Sequence, residues 1–107
     1  MTVPTAFFEK VLKPDISSIL ELASMNEMIY QYNFDITTLN NRDYKQRNAL
    51  FYAIYFNNLE NCKFLLKNKI SLWVEPQYHA LDFARSLRNK KCYDYILLFL
   101  NNKYIFS

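Results

Sequence analysis

The segment Asn48–Ala53 reads NALFYA and His79–Ala84 reads HALDFA, and the two agree in pattern at an offset of 31 residues. The agreement extends further along the chain. Arg88-Asn89 falls on Asn57-Asn58, and Ile96-Leu97 falls on Leu65-Leu66. A chain that repeats itself with a period near thirty residues folds as stacked copies of one small unit, because a single copy cannot bury its own apolar face.

Within the first copy the periodicity is helical. Leu50, Ala53 and Ile54 stand at i, i+3 and i+4, and Leu59, Cys62, Leu65 and Leu66 at i, i+3, i+6 and i+7, so two short helices meet near Asn57-Asn58. Asn48 precedes the first helix and can cap it, since its side-chain oxygen accepts a free backbone N–H. The chain has no glycine anywhere. Tight turns then fall to asparagine, which tolerates the left-handed conformation better than other residues with a Cβ. Asn57, Asn58 and Asn68 are expected where glycine is usual, each with some strain.

The pattern resembles ankyrin repeats, whose units carry Asp near the start, then T-P-L-H-x-A, then a leucine-rich second helix. Asp43, Asn48–Ala53, Glu60, Lys63 and Leu65-Leu66 fit one unit, and His79–Ala84 with Ile96-Leu97 fits a second. Ile16, Ile19, Leu20 and Ala23 share a helical face after Pro14-Asp15, and NFDIT resembles the family's G-A-D-V-N loop with Asn33 in the Gly position, which reads as a degenerate first unit. TAFFEKVL, Thr5–Leu12, is an added capping helix. The departures are the missing glycines, the missing proline of T-P-L-H, and a period of 31 where the family has about 33. The resemblance implies an all-α solenoid of about three units with short hairpin loops. It forms one domain over 1–107, with cap and degenerate unit at 1–38, a unit at 39–72, and a last unit with its cap at 73–107.

Chemistry-bearing patterns are sparse. His79 is the only histidine and stands at a helix start, where capping or packing accounts for it. Phosphate-cradling loops need glycine, so no nucleotide cofactor is expected. Cys62, Cys92, His79 and the carboxylates follow no zinc spacing, and no metal is expected. The two cysteines fall on second helices of neighbouring units, whose axes lie roughly 8–10 Å apart. A disulfide needs Cα atoms within about 7 Å, so free core thiols are expected. Two cysteines are no disulfide framework, the start MTVPTAFFEK has neither a basic head nor a long apolar core, and YILLFL is too short to span a bilayer. The chain therefore reads as cytoplasmic, without a membrane segment and without catalytic residues. A net charge of +3 spread over thirteen Lys and Arg does not call for nucleic acid.

The resemblance implies that a protein partner is held on the hairpin tips and first helices. Carried over position by position, its contact residues are Tyr44, Lys45, Arg47, Tyr55 and Phe56 in one unit and Glu75, Pro76, Tyr78, Ser86 and Leu87 in the next, with Trp73 at the hairpin. Tyr, Trp and Arg are the residue types that dominate interfaces. Tyr55 and Phe56 serve either a partner or the N-terminal segment. The apolar run Cys92–Phe106 either contacts a second copy or is covered by Tyr104, Ile105 and Phe106 folding back. The expected function is a non-enzymatic binder that neutralises a partner such as a toxin or enzyme, in the manner of an immunity protein or antitoxin. The alternatives are an effector or adaptor aimed at a host protein, and weak nucleic-acid association through Lys45, Arg47, Arg85, Arg88 and Lys90.

Overall fold

The computed structural model describes residues 18–106, with side chains as far as Asn102. The expected helix over Thr5–Leu12 and the helix start at Pro14-Asp15, with Ile16, lie outside the described residues.

Helix starts are set by short polar side chains. Ser18, Asn48, Asn58 and His79 hold extended backbone, and each accepts a hydrogen bond from a first-turn N–H. They open α1 (Ile19–Ser24), α2 (Ala49–Tyr55), α3 (Leu59–Lys67) and α4 (Ala80–Leu87). A fifth helix, α5, runs Lys90–Phe106. Two 3₁₀ turns, Ile29–Gln31 and Ile36–Thr38, lie between α1 and α2. Between α3 and α4 the chain forms an antiparallel hairpin, β1 (Trp73–Glu75) and β2 (Tyr78–His79). Trp73 faces His79, Glu75 faces Tyr78, and a bulge separates the pairs. Pro76, with its fixed φ, begins the reversal. The protein is thus mostly helical, and the hairpin adds a small sheet to the expected all-α architecture.

Helix ends show the period most clearly. Asn26, Asn57 and Arg88 are left-handed, with φ of 58°, 52° and 58°, and follow one another at the 31-residue offset. Each closes its helix with the same two bonds. Asn26, Asn57 and Arg88 donate to the carbonyls of Ala23, Ile54 and Arg85, and the following Glu27, Asn58 and Asn89 to those of Leu22, Ala53 and Ala84. This is the Schellman arrangement, which satisfies carbonyls that the helix end leaves free.

Asn57 therefore fills the expected glycine position, whereas Asn58 and Asn68 do not. Asn58 has φ −89°, because its oxygen is committed to capping α3 through Asn61 N–H. Asn68 has φ −90° and returns its Nδ2 to the Phe64 carbonyl, so the reversal moves to Lys69 with φ 69°. Asn33 is likewise absent from the left-handed set, which is completed by Gln46. Arg88 is the poorest residue for its conformation among the three repeat-spaced turns. Arg88→Gly is expected to stabilise the protein by about 0.5–1 kcal/mol, and Asn57→Gly by less, read as urea midpoints.

α2 is the hub, packed against α1, α3, α4 and β1, while α4 packs on α5 and α3 on α5. Ile19, Leu50, Ile54, Leu65, Leu66, Val74 and Ile96 are fully buried in this core. Before Asn48 the described chain has one α-helix, α1, followed by the two 3₁₀ turns. Where α3 buries Cys62, Leu65 and Leu66, the corresponding segment buries only Ile29 and closes as a 3₁₀ turn.

The chain does not fold back at its end, since α5 stays helical to Phe106. Leu97 is 38% exposed, although its register partner Leu66 is 1% exposed, and Leu98 is 55% exposed.

Candidate functional site

Asp43 builds the first hairpin tip. Its carboxylate accepts from the Lys45 and Arg47 N–H groups, its own N–H donates to the Arg47 carbonyl, and Gln46 N–H donates to its carbonyl. The tip thus pushes Tyr44 and Lys45 outward, with Tyr44 88% exposed and the Lys45 ammonium over its ring. The Tyr52 hydroxyl donates to the other Asp43 oxygen.

Burial opposes the Asp43 charge, but the Tyr52 hydroxyl, the Arg47 and Lys45 N–H groups and the Arg47 charge together hold its carboxyl below the usual carboxylate range. A depressed folded pKa stabilises the fold above the unfolded value and is lost as pH falls. The wild type is therefore expected to lose urea resistance below about pH 4 more steeply than Asp43→Asn does.

The second tip is tied to the first. Arg42 donates to the carbonyls of Gln46 (2.8 Å) and Trp73 (2.6 Å), and Arg47 pairs with Glu75 at 3.1 Å. Lys45, Gln46, Glu75, Pro76, Gln77 and Tyr78 line a shallow cleft of about 460 Å³ between the tips. Sequence reading missed Arg42, which looks like an ordinary surface cation until its partner on the next tip is known.

A run of rings continues from the tips along the first helices. The Arg47 guanidinium lies 4.3 Å from the Phe51 ring centre. Phe51 stacks on Phe83 at 4.4 Å, and Phe83 meets Tyr78 at 5.3 Å. One helical turn on, Tyr55 lies parallel to Phe51 at 6.4 Å, and Phe56 stands edge-on to Tyr55 at 5.1 Å. The Tyr78 hydroxyl donates to Ser86 Oγ at 2.9 Å. Phe51 and Phe83 are each 6% exposed and belong to the core. Tyr55 and Phe56 are 56% and 39% exposed.

The structure therefore joins Arg47, Glu75, Tyr55, Phe56, Tyr78 and Ser86 in one connected face, with Lys45 and Tyr44 at its edge. Leu87, one turn beyond Phe83, is 37% exposed, and Pro76 is exposed in the turn. Trp73 is half exposed, but its ring lies edge-on against His79 at 5.2 Å. His79 itself caps α4, with Nδ1 accepting from Leu81 N–H.

Among the described residues no three His, Cys, Asp or Glu side chains converge on one point, and no helix is long and apolar enough to cross a membrane. Cys62 and Cys92 are free thiols with no exposure, as expected for core positions. No family model matches the chain, and no curated protein or solved structure matches it.

Proposed function

We propose that the chain is an ankyrin-like stack of helical hairpins that acts by holding a protein partner on this aromatic face, and that it neutralises the partner by covering it, as an immunity protein or antitoxin does. The observation that carries the reading is the pair Tyr55-Phe56. Tyr55 ends α2 and Phe56 follows it, beyond a helix that buries Ala49, Leu50, Phe51, Ala53 and Ile54, and the two rings continue a ring run anchored in the core. Exposed aromatics cost solubility, and few-rotor rings held by a rigid scaffold suit a tight interface. The 31-residue recurrence of the helix-closing turns and the packing of α2 on α4 and α3 on α5 support the stacked architecture.

An effector or adaptor would use the same face and differ only in its partner. Nucleic-acid association is weaker, because Arg47, Arg85 and Lys90 already face Glu75, Asp82 and Asp94. Such binding would fall steeply with salt. Free buried thiols suit a reducing, cytoplasmic setting. A second copy docked on Leu97 and Leu98 would appear as a dimer in the absence of any partner.

The test is capture by the tagged full chain from its native lysate, with mass spectrometry and light scattering on the eluate. One dominant protein at fixed stoichiometry supports the reading. A clean homodimer without a partner sinks it.

A further inference from the structure

Cys62 lies on α3, and Cys92 lies in the first turn of α5. They are thirty residues apart in sequence, both fully buried, with Sγ atoms 3.2 Å apart. The thiols are free, as expected, but the expected helix separation does not keep them apart: a disulfide holds its sulfurs at about 2.05 Å, so roughly 1 Å of approach separates contact from bond. At the register of Cys92 the preceding unit carries Asn61, whose side chain also reaches back to its neighbour, to the Glu27 carbonyl and the Ile29 N–H. The pair thus occupies the position through which one unit grips the one before it.

We propose that Cys62 and Cys92 form an oxidisable dithiol that closes to a disulfide under peroxide and bolts α3 to α5. Cys92 stands beside the Lys91 charge in the first turn of α5, with Cys62 Sγ in contact, and is the attacking sulfur in this scheme. The hydrogen bond with Cys62, aided by the Lys91 charge and against the effect of burial, holds the Cys92 thiol below the usual cysteine range. Opening of the first turn of α5, beside exposed Lys90 and Lys91, gives the oxidant access.

The Cys92 thiolate attacks a peroxide oxygen. The O–O bond breaks, water leaves, and a sulfenic acid forms. Cys62 Sγ then attacks Cys92 Sγ, the S–O bond breaks, and a second water departs with the Cys62 proton. Two thiols lose two electrons and two hydrogens, and one hydrogen peroxide becomes two waters. The inference rests on the thiol pair alone and stands apart from the identity of any partner.

The experiment uses the reduced full chain, exposed to hydrogen peroxide while folded, then denatured and alkylated with N-ethylmaleimide. The expected result is a monomer lighter by about 2 Da, without alkylation, with the Cys62 and Cys92 peptides joined until dithiothreitol is added. Its melting temperature should rise by on the order of 10 °C, since the bond closes a long loop in the unfolded chain. In Cys92→Ala, the remaining Cys62 should stay reduced under the same peroxide, with no dimedone adduct and full alkylation after denaturation. Full alkylation of both thiols, joining only between chains, or an oxidised monomer that melts lower than the reduced one would overturn the proposal.

Discussion

Asn61→Ala is expected to destabilise the protein by about 2–4 kcal/mol, a large cost for the loss of a small polar group. Asn61 is 1% exposed. Its Oδ1 accepts from Ile29 N–H at 3.0 Å, and its Nδ2 donates to the Glu27 carbonyl at 2.7 Å. These backbone groups lie at or just before the 3₁₀ turn Ile29–Gln31, so they have no helical ladder to pair them. Alanine leaves both unsatisfied, and each orphan costs roughly 1–3 kcal/mol, least where water can reach. Hydrogen exchange at Ile29 should accelerate along with the shift in urea midpoint. Asn68→Ala serves as the contrast, because its exposed bond to the Phe64 carbonyl makes less than about 1 kcal/mol of difference.

Phe51→Ala is expected to cost about 3–5 kcal/mol. Phe51 is nearly buried, stacks on Phe83 of the next unit, and carries the Arg47 guanidinium on its other contacts. Truncation opens a cavity between α2 and α4 and removes the seat on which Arg47 meets Glu75. The check is a urea titration with unchanged slope and a lowered midpoint. A cost below about 1 kcal/mol would mean that the units are held together elsewhere than through their first helices.

These two residues mark how far the sequence could be read. The helix starts at Asn48 and Ala80 were legible, because a short polar residue stands directly before an apolar helical stripe. The reversal at Asn57 was legible for the same local reason, whereas Asn68 misled. An asparagine that follows the last apolar residue looks like a helix terminator, but its side chain found a carbonyl one turn back and the left-handed step passed to Lys69. The 31-residue offset, applied upstream, would have marked Asn26 as well as Asn57 and Arg88.

Asn61 and Arg42 were not legible. Their partners on the neighbouring hairpin or helix lie more than thirty residues away, and nothing local distinguishes a polar side chain that bonds across the fold from one that faces water. Of the candidate face, the resemblance put Tyr55 and Phe56 at contact positions and left open whether the N-terminal segment packs on them; they are 56% and 39% exposed. The same reasoning could not separate them from Phe51 and Phe83, which share their chemistry but are covered by the neighbouring unit. Trp73 was grouped with the face because it stands at the hairpin, yet the strand pairing sets it against His79.

The contrast between Phe51 and the Tyr55-Phe56 pair yields the most direct test of the account. The measurement is partner capture and thermal melting, side by side, for the wild type and Tyr55→Ser/Phe56→Ser. The double variant is expected to keep its helical circular dichroism and to melt within about 3 °C of the wild type, as surface changes do, while the captured partner disappears. A melting temperature lower by about 10 °C or more would make the two rings part of the core. Undiminished capture would place the interface elsewhere on the molecule.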